Sequence, residues 1–214
     1  DPRYRRALME YDKVRKRRNR LLEQISKFPS VDLSGLSFWD AKLLELGTFL
    51  QDARKNFFGE INVELRAETC LPARQGLELR YLLSNLTVER LREFRPREIA
   101  AERTLIGPHR DDFSFLSIDN RQSTINNRSL AAFGSRSEQR RSVLALKKAE
   151  LEFVEGRIEE RPVLLLDDIF SELDEENRER VAKEFVDSNQ VIITTADIHH
   201  IPAGLQGGSR VIEL

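Results

Sequence analysis

The sequence predicts an α/β lobe built on a parallel sheet, with a helical arm ahead of it. Three observations carry that expectation. Val163-Leu164-Leu165-Leu166 is a short, wholly apolar run, the pattern of a parallel strand buried on both faces. Beyond about residue 103, strand-like and helix-like segments alternate, which implies a layered α/β structure. The first hundred residues are instead rich in charge and carry long helical periodicity.

Residues 3–28 read as one helix, because Tyr4, Leu8, Tyr11, Val14, Arg18, Leu21, Leu22 and Ile25 recur three or four apart. Pro29-Ser30 stops it, and Asp32 to Gly35 is a loop. A second helix is predicted from Ser37 to Phe58, closed by Gly59. Residues 60–68 fit a strand or a short helix, Pro72 to Gly76 a turn, and Leu77 to Leu82 a strand. Residues 86–102 read as a helix interrupted by Pro96. Thr104-Leu105-Ile106 and Asp112 to Leu116 then read as strands around Gly107-Pro108. A turn follows at Asp119-Asn120 and a long helix from Ser137 to Gly156. After the apolar strand come a helix from Asp174 to Asp187, a buried strand at Val191 to Thr195, and a third at Arg210 to Leu214. The expected division is an arm over residues 1–102 and a lobe over 103–214.

The chain has 214 residues, 40% hydrophobic and 33% charged. That is enough apolar material for a core and too much charge for a membrane protein, and no run approaches the ~18 apolar residues of a spanning helix. The N-terminus has no signal-peptide character. A single cysteine, Cys70, rules out an internal disulfide framework and points to a reducing, cytoplasmic setting. Because the chain opens inside a helix without an initiating Met, we expect a piece of a longer protein.

A formal net charge of -1 says nothing about nucleic acid, but residues 1–30 hold ten basic and four acidic side chains. Lys13, Arg15, Lys16, Arg17 and Arg20 are the candidate DNA contacts, against a plainer reading as a solvated helix face.

Leu164-Leu165-Leu166-Asp167-Asp168 places two acids at the C-terminal end of a buried strand, where parallel sheets hold ligands. One carboxylate there can hold Mg²⁺, usually through water, and the next can polarise an attacking water. The competing reading makes Asp168 a helix N-cap. Ser135-Arg136-Ser137-Glu138-Gln139-Arg140 opens a long helix, so its free amides and dipole suit an anion. Its S-x-x-E spacing also fits a plain capping box. Ser171-Glu172-Leu173-Asp174 follows the acids, with Asp174 placed to cap the next helix.

The order of these segments is more specific than any one of them. A Ser-x-x-Glu-Gln-Arg helix start, a strand ending Asp-Asp, Ser-x-Leu-Asp, then a strand ending Thr-Thr is similar to the signature motif, Walker B, D-loop and switch strand of ABC-type ATPases. The chain most resembles the RecF family. Gly107-Pro108-His109-Arg110-Asp111-Asp112-Phe113, Phe133–Arg140, Pro162–Asp174, Arg17-Arg18-Asn19-Arg20-Leu21-Leu22 and Trp39-Asp40 carry the resemblance, over about residues 1–196.

The resemblance implies an ABC-ATPase-type C-terminal lobe with a helical arm. Asp167 would meet Mg²⁺ through water, and Asp168 would stand at the catalytic acid position. Ser135, Ser137 and Glu138 would meet the ATP of an opposite subunit, and Ser171 and Asp174 would lie at the dimer interface. Thr195 would lie near the switch position. It further implies a cytoplasmic protein that binds DNA at gaps and duplex–single-strand junctions, dimerises with ATP, and works with RecO and RecR in loading RecA during recombinational repair and the SOS response. Two departures stand out. Ser137 replaces the usual signature Gly, and G-x-x-x-x-G-K-[ST] is absent from the sequence. The chain alone is therefore expected neither to hold ATP tightly nor to hydrolyse it.

Other readings are an SMC-like chromosome-maintenance ATPase, a metal-dependent nuclease or phosphoacceptor using Asp167 and Asp168, or a pure interaction module. A short arm disfavours the first. No further converging acids support a nuclease, and no suitably placed Lys supports a phosphoacceptor. His109 is expected to be held in a turn by hydrogen bonds, His199-His200 to be surface loop, and Trp39 to be core.

Overall fold

The structure is a computed structural model. It describes residues 1–28, 34–67, 75–119, 128–129, 132, 134–171, 173–185 and 190–213. Its packing forms two compact units, Asp1–Gly59 with Arg80–Ser114, and Glu60–Leu79 with Phe115–Leu214. The expected boundary near residue 103 does not coincide with this division. Residues 103–114 pack back onto the first helices, and the end of the second helix belongs with the later residues.

In the first unit, α1 (Pro2–Lys27) starts at Asp1, whose carboxylate accepts from the Arg3 and Tyr4 amides. It buries Tyr11, Val14, Arg18, Leu22 and Ile25. Helix α2 (Ser34–Ala67) runs straight through Gly59. One Gly inside a helix costs only about 1 kcal/mol, and fully buried Ile61 and Leu65 carry the apolar row onward. That settles residues 60–67 as helix. Strand β1 spans Gln75–Leu82, and α3 (Val88–Ala100), capped by Thr87, continues through Pro96. Tyr11, Val14, Leu43, Leu50, Leu86, Leu91 and Ile106 form this unit's core.

The strand expected at Thr104–Ile106 is absent. Thr104 and Ile106 are buried. Thr104 gives its amide and its hydroxyl to the Asn19 side-chain oxygen, and the hydroxyl also accepts from Arg18. These side chains take the roles a neighbouring strand would have filled. Strand β2 (Asp112–Asp119) lies between β1 and the two-residue β3 (Arg128–Ser129).

In the second unit, α4 (Arg136–Ile158) and α5 (Glu175–Phe185) flank the parallel pair β4 (Val163–Asp167) and β5 (Gln190–Thr194). Leu144, Leu164, Leu166, Phe170, Leu173, Val181 and Ile201 form its core. Strand β4 is not buried on both faces as expected. Leu164 and Leu166 point inward, while Val163 and Leu165 are 50% and 70% exposed. Among the described residues one face of the sheet is covered and the other is open. The third buried strand is also absent. Residues 210–213 are irregular with Val211 and Ile212 exposed, and Leu214 lies outside the described residues. The short helix α6 (Ala203–Gln206) precedes them.

Candidate nucleotide half-site

The parallel register puts Asp167 opposite Thr194 at the C-terminal ends of β4 and β5. The Thr194 hydroxyl donates to the Asp167 carboxylate in a short bond and accepts from the Asp168 amide at 3.2 Å. The same amide also reaches the Thr194 carbonyl at 3.1 Å. Asp168 adopts φ +47°, a left-handed conformation that costs an ordinary L-residue about 1–2 kcal/mol. Its carboxylate accepts from the Ser171 hydroxyl at 3.0 Å. Both acids are exposed. The sheet therefore turns sharply after Asp167 and presents two carboxylates and a hydroxyl to solvent from a tethered backbone.

This arrangement identifies a residue that sequence reasoning missed. Thr195, assigned to the switch position, turns into its own loop instead. Its hydroxyl donates to the Asp197 carbonyl and accepts from the Asp197 amide. Thr194 is the threonine at the acids. Strand alternation sends adjacent residues to opposite faces, so the register between β4 and β5 is what decides between them.

Asp168 does not cap a helix. Asp174 does, accepting from the Asn177 amide at 2.9 Å and from its side chain at 2.8 Å. Those bonds hold the Asp174 carboxyl below the usual range. The Asn177 carbonyl oxygen meets Arg141 of α4 at 3.5 Å, and Arg178 holds the Phe170 carbonyl at 2.8 Å. Phe170 and Asp174 are thus both tied to α5, and α5 in turn to α4 through Arg141; Glu172 lies outside the described residues.

Ser135 caps α4 in a complete capping box. Its hydroxyl accepts from the Glu138 amide at 3.2 Å, and Glu138 accepts from the Ser135 amide at 2.8 Å. Among the described residues the Ser135 hydroxyl donates to no acceptor, and an anion at this helix start would compete with the Glu138 carboxylate. Ser137 is the second residue of α4, and its side chain, like Phe133, lies outside the described residues. Among the described residues no hydrogen bond joins Ser135 to Asp167 or Asp168.

The candidate DNA residues divide. Lys13 pairs with Glu10 at 2.7 Å, while Arg15 and Lys16 share Asp12 at 2.6 Å each. Arg17 lies over the Trp39 ring, 5.5 Å from its centroid, and Arg20 makes no ion pair among the described residues. Arg18, between them in sequence, is fully buried against Asp40 and Glu98. Trp39 packs partly against the core, as expected.

The Gly107–Phe113 segment is a structural hub. Gly107 has φ +113°, and a Cβ there would sit 2.7 Å from the Tyr11 hydroxyl. The Asp111 carboxylate accepts from Gln51, Arg54, Tyr81 and the Ser84 amide. The His109 Nε2 lies 3.1 Å from the Thr104 carbonyl, which can only accept, so Nε2 carries the proton. Nδ1 then accepts from the Tyr11 hydroxyl at 3.0 Å. Burial chiefly, with the Thr104 carbonyl opposing it, pushes the His109 pKa below its ordinary value.

Strand-tip acids beside a threonine and a capped helix start sit in a mixed α/β, mostly helical protein, and its likeness to solved structures gives the class as the ABC-ATPase type. The comparisons narrow it. No protein-family model matches the chain. It is 34% identical over 207 residues to the DNA replication and repair protein RecF of Leptospira interrogans, covering 94% of this chain and 53% of that protein. Against the Moorella thermoacetica RecF it is 34% identical over 217 residues, covering 99% and 56%. Among the solved structures similar to it are two of the recombination mediator protein RecF in the RecFOR pathway. The RecF-ATPrS form superposes with a TM-score of 0.78 at 27% identity over 94% of this chain and 55% of that one. The RecF-ATP form gives 0.77 at 27% identity over 92% and 54%. The chain belongs to the RecF family. It spans about half the length of the curated relatives it matches. No described helix is long and apolar enough to cross a membrane.

Proposed function

We propose that this chain supplies the Walker B, D-loop and signature elements of a RecF-type ATP site in a cytoplasmic, ATP-dependent DNA-binding repair protein. The observation that carries the reading is the Asp167–Asp168–Thr194 cluster, with Asp168 held in a left-handed turn. Glu102 and Glu159 are also left-handed, at plain helix ends; what sets Asp168 apart is that its turn sits at a strand tip and is tied to Thr194 beside a second exposed acid.

Asp167 and Thr194 offer hard oxygen ligands of the kind Mg²⁺ takes, and no group of three or more metal-ligating side chains converges among the described residues. The residues therefore fit a Mg²⁺ ion shared with nucleotide phosphates and water, rather than an all-protein cage. Asp168, one residue on, is placed to accept a proton from an attacking water. Ser135 and the α4 start would meet the γ-phosphate of a second subunit's ATP, with Glu138 beside it and Ser137 in the signature-glycine place. Ser171 and Asp174 would lie at that dimer interface. The sequence holds no P-loop, so this chain has no cradle for the α- and β-phosphates. The partners of the whole protein would be DNA at gaps and junctions and RecO- and RecR-type mediators; membership of the RecF family and the RecFOR pathway of the similar structures are what favour this reading.

The test joins this chain to the P-loop half of a RecF relative and measures ATP hydrolysis. We expect turnover only in the joined protein, and a loss of about 10²-fold or more for Asp168→Asn with nucleotide still bound. Turnover by the 214-residue chain alone, abolished by Asp168→Asn, would contradict the proposal. So would a joined Asp168→Asn protein as fast as its parent.

A further inference from the structure

We infer that one stripe of α1 is a phosphate track for nucleic acid, and that Phe38, backed by Trp39, is a platform on which an unpaired base stacks. The inference rests on the nucleic-acid reading above and names where and how the strand is held.

The track comes from sorting the arginines of α1 by what already satisfies them. Arg15 shares Asp12 with Lys16, and Arg18 is buried between Asp40 and Glu98. Five make no ion pair among the described residues; Arg5 stands to one side, and Arg3, Arg6, Arg17 and Arg20 share a stripe. They form two i,i+3 pairs fourteen positions apart in the sequence. Fourteen residues are close to four helical turns, so both pairs face the same way, about 21 Å apart along the axis. Guanidinium forks on a rigid rod match phosphates better than any other common surface group does.

At one end of the stripe the Arg17 guanidinium lies 5.5 Å from the Trp39 centroid. Trp39 meets Phe38 edge-to-face, with centroids 5.0 Å apart and planes at 82°. The inner side of Trp39 packs against the core that holds Tyr11 and Leu43, while Phe38 is 58% exposed. A ring fixed from behind and open in front loses little freedom when something stacks on it. The next outward positions on α2, Lys42 and Glu45, are charged and paired to each other. A docking helix would need apolar anchors at three- and four-residue spacing there. One exposed ring beside unneutralised arginines fits a base and its phosphates instead.

Trp39 is the single tryptophan of the chain, so its emission reports on this spot. The 214-residue chain is titrated with a mixed-sequence single-stranded oligonucleotide and with a blunt duplex of the same length, across a salt series. We expect the single strand to quench Trp39. Phe38→Ala and Phe38→Leu should weaken single-strand binding by about fivefold or more, with duplex affinity unchanged, and Phe38→Tyr should restore it. Arg17→Glu/Arg20→Glu should flatten the single-strand salt slope by about 0.7 for each phosphate no longer neutralised. If Phe38→Leu binds single strands as the parent does, or if they bind without changing Trp39 emission, the platform is overturned while the nucleic-acid reading stands. If the parent binds neither oligonucleotide, both fall.

Discussion

The two compact units treat charge in opposite ways. The first hides it. Arg18 is fully buried, with Glu98 fully buried and Asp40 nearly so, and Asp111 receives four donors in the segment that closes the unit. The second leaves its notable acids in the open. Asp167 and Asp168 are exposed at a strand tip, and a strained backbone holds the second of them there. Buried charges left without partners cost several kcal/mol, so the first network specifies one packing. Exposed carboxylates beside a hydroxyl contribute little to folding, and so are free to serve a ligand. The contrast separates scaffold from site without reference to any relative.

The comparison breaks most severely at Arg18. Arg18→Ala leaves buried Glu98 without its ion partner and Asp40 with Arg95 alone, and chemical denaturation should show a loss of about 3–5 kcal/mol. A loss below about 1 kcal/mol, the scale of an exposed pair, would mean the network is not the scaffold. Asp111→Asn comes next. It discards the charge opposite Arg54 and gives two donors to a place that supplies only donors. We expect a loss of about 2–3 kcal/mol by the same measurement.

His109 sharpens the contrast through pH. Its neutral form is the one that accepts from Tyr11, and its folded pKa lies below its unfolded value. The unfolded chain therefore binds the proton first as pH falls. Stability from this residue is complete above about pH 6.5 and is lost as pH drops through the lower folded value. Thermal melts of the parent should fall across that window, and those of His109→Gln should fall less. Equal slopes would remove His109 from the account.

The long helices were legible because their apolar spacing is local. Gly59 misled because Ile61 and Leu65, two and six residues beyond it, outweigh its cost in helix. Thr104–Ile106 looked like strand since alternation alone cannot say whether a partner strand exists. The apolar run of β4 predicted two covered faces, yet among the described residues only that of Leu164 and Leu166 is covered. At the site, Asp167, Asp168 and the Ser135 cap could be read from motif order. Thr194 could not, because choosing it over Thr195 depends on pairing between strands 27 residues apart. The Arg18 triad joins residues 22 and 80 positions distant, which no local pattern records.

The most direct test of the central claim, that Asp168 is strained for a purpose other than folding, is one substitution with two readouts. Asp168→Gly removes the left-handed penalty and the carboxylate together. We predict a chain more stable by about 1 kcal/mol, and no ATP turnover once joined to a P-loop half. A less stable chain, or one whose joined form still turns over ATP at the parent rate, would contradict the account.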